Sequence, residues 1–267
     1  MLISSNGYSS LNSLSVVFPM YNELGNIETA VSEALRVGYK ITSKLEIVIV
    51  DDASTDGSGA LADRLATEHP EIKVKHHANN RKLGGSLKTG FAAASCEWVL
   101  YMDSDLPIKM DDIFGAIPLT QEAELIIGWR KSRAEPWHRS LMSAIYNRMI
   151  HHLFDLRVRD VNFSFKLFRR DLLHQVLLTS EGSFIDAELL LEFKRAGARF
   201  AEIGLDYYPR VAGVSTLASN QVVLVLLGEM LRYRMEAHGR ATHDLGGKRR
   251  RLWLERCYQS RSEISVS

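Results

Sequence analysis

Residues 45–58 read LEIVIVDDASTDGS. The first six make a β-branched apolar run without alternation, the pattern of a strand buried on both faces. The rest is rich in turn and cap residues, and it opens a helix carrying Leu61 and Leu65. Neighbouring segments repeat this unit. Upstream, LSVVFP (14–19) is short, β-branched and closed by Pro19, after which Ile27, Ala30, Val31, Ala34 and Leu35 share one helical face before Gly38. Downstream, IKVKHH (72–77) is a weaker strand, and RKLGGSLKTGFAAAS (81–95) a glycine-containing loop and helix. EWVLYM (97–102) and ELIIGWR (124–130) are a fourth and a fifth strand. Strands of this kind, separated by helices, predict an α/β fold with a mostly parallel sheet covered on both faces. Ligands in such sheets sit beyond the carboxyl ends of the strands. Three strands here end in polar clusters: PMYNE (19–23), DDAS (51–54) and DSD (103–105).

The second half changes character. HRSLMSAIYNRMIHHLF (138–154) predicts an amphipathic helix with Leu141, Ile145, Met149 and Leu153 on one stripe. NFSFKLFRRDLL (162–173) reads as a strand running into a helix, FIDAELLLEFKRAG (184–197) as a helix ended by Gly197, and RFAEIGLDYYPR (199–210) as a strand. From Asn220 the chain is helical, then basic. No internal repeat or low-complexity linker interrupts it.

Composition excludes several classes. Of 267 residues, 46% are apolar and 24% charged, which is globular rather than disordered, collagen-like or coiled-coil. Lys+Arg 33 against Asp+Glu 32 gives no global field to recruit nucleic acid, so no nucleic-acid partner is expected. Two cysteines, Cys96 and Cys257, cannot make a disulfide scaffold or a Cys-rich zinc site, and they suit a reducing compartment. The polar N-terminus lacks a basic n-region. The longest apolar run, VVLVLLGEML (222–231), is broken by Glu229 and falls short of the ~20 residues of a spanning helix. A cytoplasmic location is expected, with the cytoplasmic face of a membrane as a further option.

Asp103-Ser104-Asp105 is the sharpest chemical signal. Two carboxylates one residue apart, just past a buried strand, can present oxygens to one hard cation, Mg²⁺ or Mn²⁺, that also holds substrate phosphates. The competing role is an acidic turn, with Asp105 capping a helix near 111–117. Asp51 and Asp52 either cap a helix, where Ser54 or Thr55 serves as well, or accept hydrogen bonds from a base or ribose. Tyr21 offers a face for a nucleobase. The loop LGGSLKTG (83–90) either cradles phosphate or is plain loop; it lacks the order of a P-loop.

Taken in order, PMYNE, VDDASTDGS, LGGSLKTGF and MDSDLP resemble the nucleotide-sugar-binding half of family 2 glycosyltransferases. IIGWR (126–130), Arg139 with Ser143, DVNFSFKLFRR (160–170), FIDAELLLEFKRAG and YYPRVAGVST (207–216) extend the resemblance to the dolichyl-phosphate mannose synthase branch and its polyprenyl-phosphate relatives. The resemblance implies a GT-A type fold, a Rossmann-like sheet flanked by helices with a helical C-terminal extension. It also implies Mg²⁺ or Mn²⁺, a nucleotide-diphosphate sugar donor, a lipid-phosphate acceptor and inversion at the anomeric carbon. Residues 14–125 would be the nucleotide-sugar half of one domain, 126–216 its acceptor half, and 217–267 a helical and basic tail. By motif, Pro19, Tyr21, Glu23 and Asp52 would hold base and ribose. Asp103 and Asp105 would hold metal and diphosphate, Arg130, Arg139 and Ser143 the acceptor phosphate, and Arg210 the donor phosphates. Two positions depart from the family pattern. Pro107 stands where close relatives often have Gln, and Ser164 replaces a glycine.

An anionic phosphate acceptor needs positioning and charge screening rather than a strong base. A hydroxyl acceptor needs one, and Asp186 is then the candidate, with Glu188 nearby. Transfer to a sugar or lipid hydroxyl, and nucleotide-sugar binding without transfer, are the alternatives. Peripheral membrane contact is expected from 221–235, or from the basic KRRRLWL (248–254), unless the first packs as a core helix.

Overall fold

The computed structural model describes residues 10–131, 137–208, 226 and 228–235; the side chains of 137–141 lie outside that description. Seven strands form one sheet: β1 (Leu14–Met20), β2 (Leu45–Asp51), β3 (Ile72–His76), β4 (Trp98–Tyr101), β5 (Leu125–Arg130), β6 (Lys166–Arg169) and β7 (Phe200–Leu205). Their spatial order is β3, β2, β1, β4, β6, β5, β7. The first four strands in sequence are mutually parallel, β5 and β7 are parallel, and β6 runs antiparallel to both β4 and β5. The helices are α1 (Ile27–Ile41), α2 (Ser58–Glu68), α3 (Lys82–Ala93), the single turn α4 (Ile113–Ala116), α5 (Trp137–Phe154) and α6 (Ile185–Arg195).

The apolar runs are explained by two cores. Leu14, Val16 and Phe18 of β1, with Ile47 and Ile49 of β2, face α1 and α2. Val17, Val48 and Val50 face α3 and α6 on the other side. Successive side chains point to opposite faces, so a strand covered on both needs apolar residues at every position.

The glycine-rich segment is not a phosphate cradle. Gly84 and Gly85 lie inside α3, and their amides are used by Glu181 O (2.8 Å) and Arg81 O (3.3 Å). A Cβ on Gly84 would fall 2.3 Å from the Ser180 carbonyl, so the glycine allows backbone to meet backbone. Gly90 lets the helix backbone rest on side chains of the sheet, where a Cβ would lie 2.4 Å from Val17 Cγ1. Gly90→Val is therefore expected to lower stability by about 1–3 kcal/mol. Urea denaturation measures this, and an unchanged midpoint would mean that α3 does not rest so closely on β1.

Three other expectations are corrected. The buried face of α5 carries Tyr146 and Ile150, with Met149 and Leu153 packed beside them, while Met142 and Ile145 are exposed. The face is turned from the expected i, i+4 stripe because the phenol and Ile150 fill the sheet-side space. After β6 the chain makes a 3₁₀ turn, Arg170–Gln175, rather than an α-helix. Asp56, not Ser54 or Thr55, binds the first amide of α2, accepting from Ser58 N at 3.0 Å.

Residues 228–235 are helical and packed. Met230 and Tyr233 are buried, and the Tyr233 ring lies 5.7 Å from Phe154 and 5.6 Å from Phe184. Glu229, which breaks the apolar run in the sequence, accepts from Gly182 N (2.9 Å) and Phe184 N (3.3 Å) at the start of α6. It satisfies amides that the helix leaves unpaired. The basic segment 248–254 lies outside the described residues.

Candidate active site

β1 lies between β2 and β4, all parallel. The crossovers α1 and α2 cover one face and α3 the other, so the chain switches sides at β1 and opens a crevice beyond the strand ends. Asn22, Ala53 and Leu106, just past the ends of β1, β2 and β4, have φ of 56°, 62° and 48°. Left-handed backbone is unfavourable for residues with a side chain and persists where surrounding contacts fix it. The contacts are present. Asp52 N donates to Met20 O (2.8 Å), Asn22 N to Ser54 Oγ (3.0 Å), Thr55 N to Asn22 Oδ1 (2.8 Å) and Leu24 N to Asp56 Oδ2 (3.1 Å). Ser104 Oγ donates to Pro19 O at 3.3 Å, which joins the third turn to the first.

Of the residues expected at base and ribose, Tyr21 is 45% exposed on this edge. Glu23 accepts from Asn26 Nδ2 at 2.6 Å. Asp52 is buried, and its Oδ1 accepts from Arg81 N (2.7 Å) and meets His77 Nδ1 (2.7 Å); His77 Nε2 meets Thr89 Oγ1 (2.8 Å). Asp51 instead receives Ser54 N at 3.0 Å and faces His76 at 2.9 Å. His77 carries no motif signal, because its role depends on β3 lying beside β2.

Asp103 and Asp105 follow β4. Asp105 is buried and caps no helix: the next helical turn begins at Met110, with Lys109 in the cap position. The Tyr101 hydroxyl donates to Asp103. Burial first, then Asp186, Asp103 and Asp105, push the Tyr101 phenol well above its ordinary value, so it stays a neutral donor. Tyr101 pairs in register with Lys166 of β6. The Lys166 ammonium is completely buried, 5.3 Å above the Tyr101 ring. It donates to Asp186 Oδ1 (2.5 Å) and Phe163 O (2.7 Å). Burial pushes the Asp186 carboxyl up, Lys166 holds it back, and Asp103 and Asp160 push it further up.

The donor set suits a hard divalent cation. Asp103 and Asp105 offer carboxylate oxygens one residue apart just past the end of β4, with Asp105 buried. No group of three His, Cys, Asp or Glu side chains suited to a metal gathers among the described residues. Asp103 and Asp105 would hold such an ion together with substrate oxygens, a common arrangement for Mg²⁺.

Arg130, expected to grip the acceptor phosphate, ends β5. Its Nε and Nη2 donate to Asp160 Oδ2 (2.7 Å) and Oδ1 (3.0 Å), and its guanidinium stacks 5.5 Å from Phe163 and 5.4 Å from Tyr207. Ser143 is half-buried on α5, one turn beyond Arg139. The side chain of Arg139, and all of Arg210, lie outside the described residues. Pro107 O accepts from Tyr208 N at 2.9 Å, so the unusual proline joins the loop after β4 to the chain after β7. Ser164, in place of a glycine, is buried. Glu188 is held by other partners: Oε1 accepts from Thr179 N (2.9 Å) and Oγ1 (2.7 Å), and Oε2 from Ser180 N (2.8 Å).

Comparison with known proteins agrees with this geometry. The family model described as Glycosyl transferase family 2 matches residues 15–177, more than half of the chain. The chain is 28% identical over 207 residues to glycosyltransferase AglD of Haloferax volcanii, covering 74% of this chain but 33% of that longer protein. It is 26% identical over 225 residues to the polyprenol monophosphomannose synthase of Mycolicibacterium smegmatis, covering 78% of this chain and 82% of the relative. Among solved structures, it is similar to glucosyl-3-phosphoglycerate synthase from Mycobacterium tuberculosis in complex with Mn²⁺, uridine diphosphate and glucosyl-3-phosphoglycerate. That match has a TM-score of 0.60, 20% identity and coverage of 81% of this chain and 79% of the other.

Proposed function

The chain belongs to glycosyltransferase family 2 and has the GT-A fold, and on that premise we propose that it transfers a sugar from a nucleotide-diphosphate donor to a polyprenyl phosphate. The observation that carries the proposal is the gathering of Asp52, Asp103 and Asp105 at one sheet edge, with Arg130 at the end of β5. The similar synthase from Mycolicibacterium smegmatis supports the acceptor class.

In this reading residues 14–125 hold the donor and 126–216 the acceptor. Pro19, Tyr21, Glu23 and Asp52 seat the nucleoside, and Asp103 and Asp105 hold Mg²⁺ or Mn²⁺ beside the diphosphate. The ion supplies neutralisation of the leaving diphosphate. Arg130, Arg139 and Ser143 grip the acceptor phosphate, Arg130 with a guanidinium already oriented by Asp160. Arg210 acts on the donor phosphates. A phosphate oxygen attacks the anomeric carbon from the side opposite the diphosphate. The C1–O bond breaks, its electron pair leaves with the nucleoside diphosphate, and the configuration inverts. No proton needs removal from a phosphate dianion, which matches the buried, Lys166-bound state of Asp186. The alternative, a hydroxyl acceptor, would require Asp186 as base. Polyprenyl chains reside in bilayers, so the acceptor half would meet a membrane peripherally; Met142 and Ile145, exposed on α5 beside Ser143, offer an apolar surface there.

The test is release of nucleoside diphosphate from a panel of sugar nucleotides with Mn²⁺, in the presence of undecaprenyl phosphate or undecaprenol. Release that depends on the phosphate is expected, and transfer to the alcohol alone would overturn the acceptor assignment. Arg130→Ala is expected to raise the acceptor KM by about tenfold or more, with donor KM little changed. Loss of donor affinity instead would put Arg130 on the wrong side of the site.

A further inference from the structure

We propose that His77 is a positioning residue for the donor base, holding the Asp52 carboxylate so that one oxygen is turned toward the nucleotide. This rests on the reading that Asp52 contacts the donor. β2 and β3 pair in register to Asp51 and His76, and His77 N donates to Asp51 O at 2.9 Å. His77 therefore lies beside Asp52, with side chains only 7% and 4% exposed. Among the described residues the hydrogen bonds of the carboxylate fall on one atom, Oδ1, which meets both Arg81 N and His77 Nδ1 at 2.7 Å. That leaves Oδ2 to serve a ligand.

The imidazole is itself oriented. Its Nε2 meets Thr89 Oγ1 at 2.8 Å. In the neutral ring, Nδ1–H donates to Asp52 and Nε2 accepts from the Thr89 hydroxyl, an arrangement in which one partner sets the tautomer for the other. Thr89 precedes Gly90, where α3 meets Val17, so the anchor stands on an element held against the sheet. His76, one residue earlier, provides a contrast: its ring is 44% exposed between Asp51 and Asp63. A fixed carboxylate oxygen accepts but cannot donate. It therefore fits a base with a ring N–H at that edge, such as uracil or guanine; in cytosine the ring nitrogen there is itself an acceptor, and only the exocyclic amine donates.

Calorimetric binding of UDP and GDP in Mn²⁺, with acceptor KM and thermal melting, tests this on the full chain. His77→Ala is expected to weaken binding of the preferred nucleotide by about tenfold, with acceptor KM unchanged. His77→Asn places an amide donor near the Nδ1 position and is expected to bind within about threefold of the parent. Both lose the Thr89 contact and should melt at similar temperatures. Equal loss of affinity in both variants would make the ring a packing residue only and overturn the proposal. If His77→Ala does not fold, Thr89→Val replaces it, with about threefold weaker binding expected and unchanged binding overturning the proposal. Asp52→Asn separates the levels. Weak binding there with tight binding in His77→Ala ends the His77 role alone, whereas tight binding in Asp52→Asn ends the donor role of Asp52 as well.

Discussion

Asp105→Ala is expected to lower sugar transfer by about 10³-fold, because the proposed site loses one of two carboxylates that meet the cation and the leaving diphosphate. The effect should be local. Asp105 sits in a turn past β4 and caps no helix, so melting temperature and acceptor binding should change little. Mn²⁺ affinity, read by electron paramagnetic resonance with and without nucleoside diphosphate, should fall together with activity. EDTA should abolish turnover in the parent chain, and added Mn²⁺ or Mg²⁺ should restore it. Full activity in the variant, or in EDTA, would remove the metal from the mechanism.

Lys166→Met should have the largest effect on stability. The ammonium is completely buried against Asp186 and the Phe163 carbonyl. Removing it leaves a carboxylate in a low-dielectric site with Asp103 and Asp160 nearby. Breaking a buried pair from one side costs about 3–5 kcal/mol, whereas replacing both partners with apolar groups is often close to neutral. Lys166→Met should therefore lower the unfolding free energy by that amount in a guanidinium titration, and the double variant Lys166→Met with Asp186→Leu should recover most of it. A single-variant loss below about 1 kcal/mol would show that water already reaches the pair. Transfer by the folded double variant is informative too. Persisting transfer to polyprenyl phosphate would show that Asp186 abstracts no proton from the acceptor.

Some residues of the candidate site were legible in the sequence and others were not. Asp103 and Asp105 stand out because two acids directly after VLYM contradict the apolar pattern around them. Lys166 and His77 do not stand out. One sits in a strand beside aromatic residues and the other ends a weak strand, and their partners Asp186 and Asp52 lie 20 and 25 residues away. The glycine pair 84–85 was misleading in the opposite sense. Glycines suggest a loop, yet here they let α3 approach residues 180–181.

What the sequence determined by itself is local and periodic. Unbroken β-branched runs, helical faces and turn residues follow from backbone geometry and side-chain burial within a few residues of each other. They were enough to establish a doubly covered, mostly parallel sheet with polar clusters at its strand ends. Only the tertiary structure decided the antiparallel insertion of β6 between β4 and β5, which brings Lys166 onto Tyr101. It also decided the bidentate hold of Asp160 on Arg130 and the turning of α5 so that Tyr146 and Ile150 face the core. These depend on contacts between segments far apart in the chain. A charged side chain reads as solvent-facing until its partner and the surrounding burial are known, because the same ammonium or carboxylate is inexpensive in water and tolerable in a core only when paired.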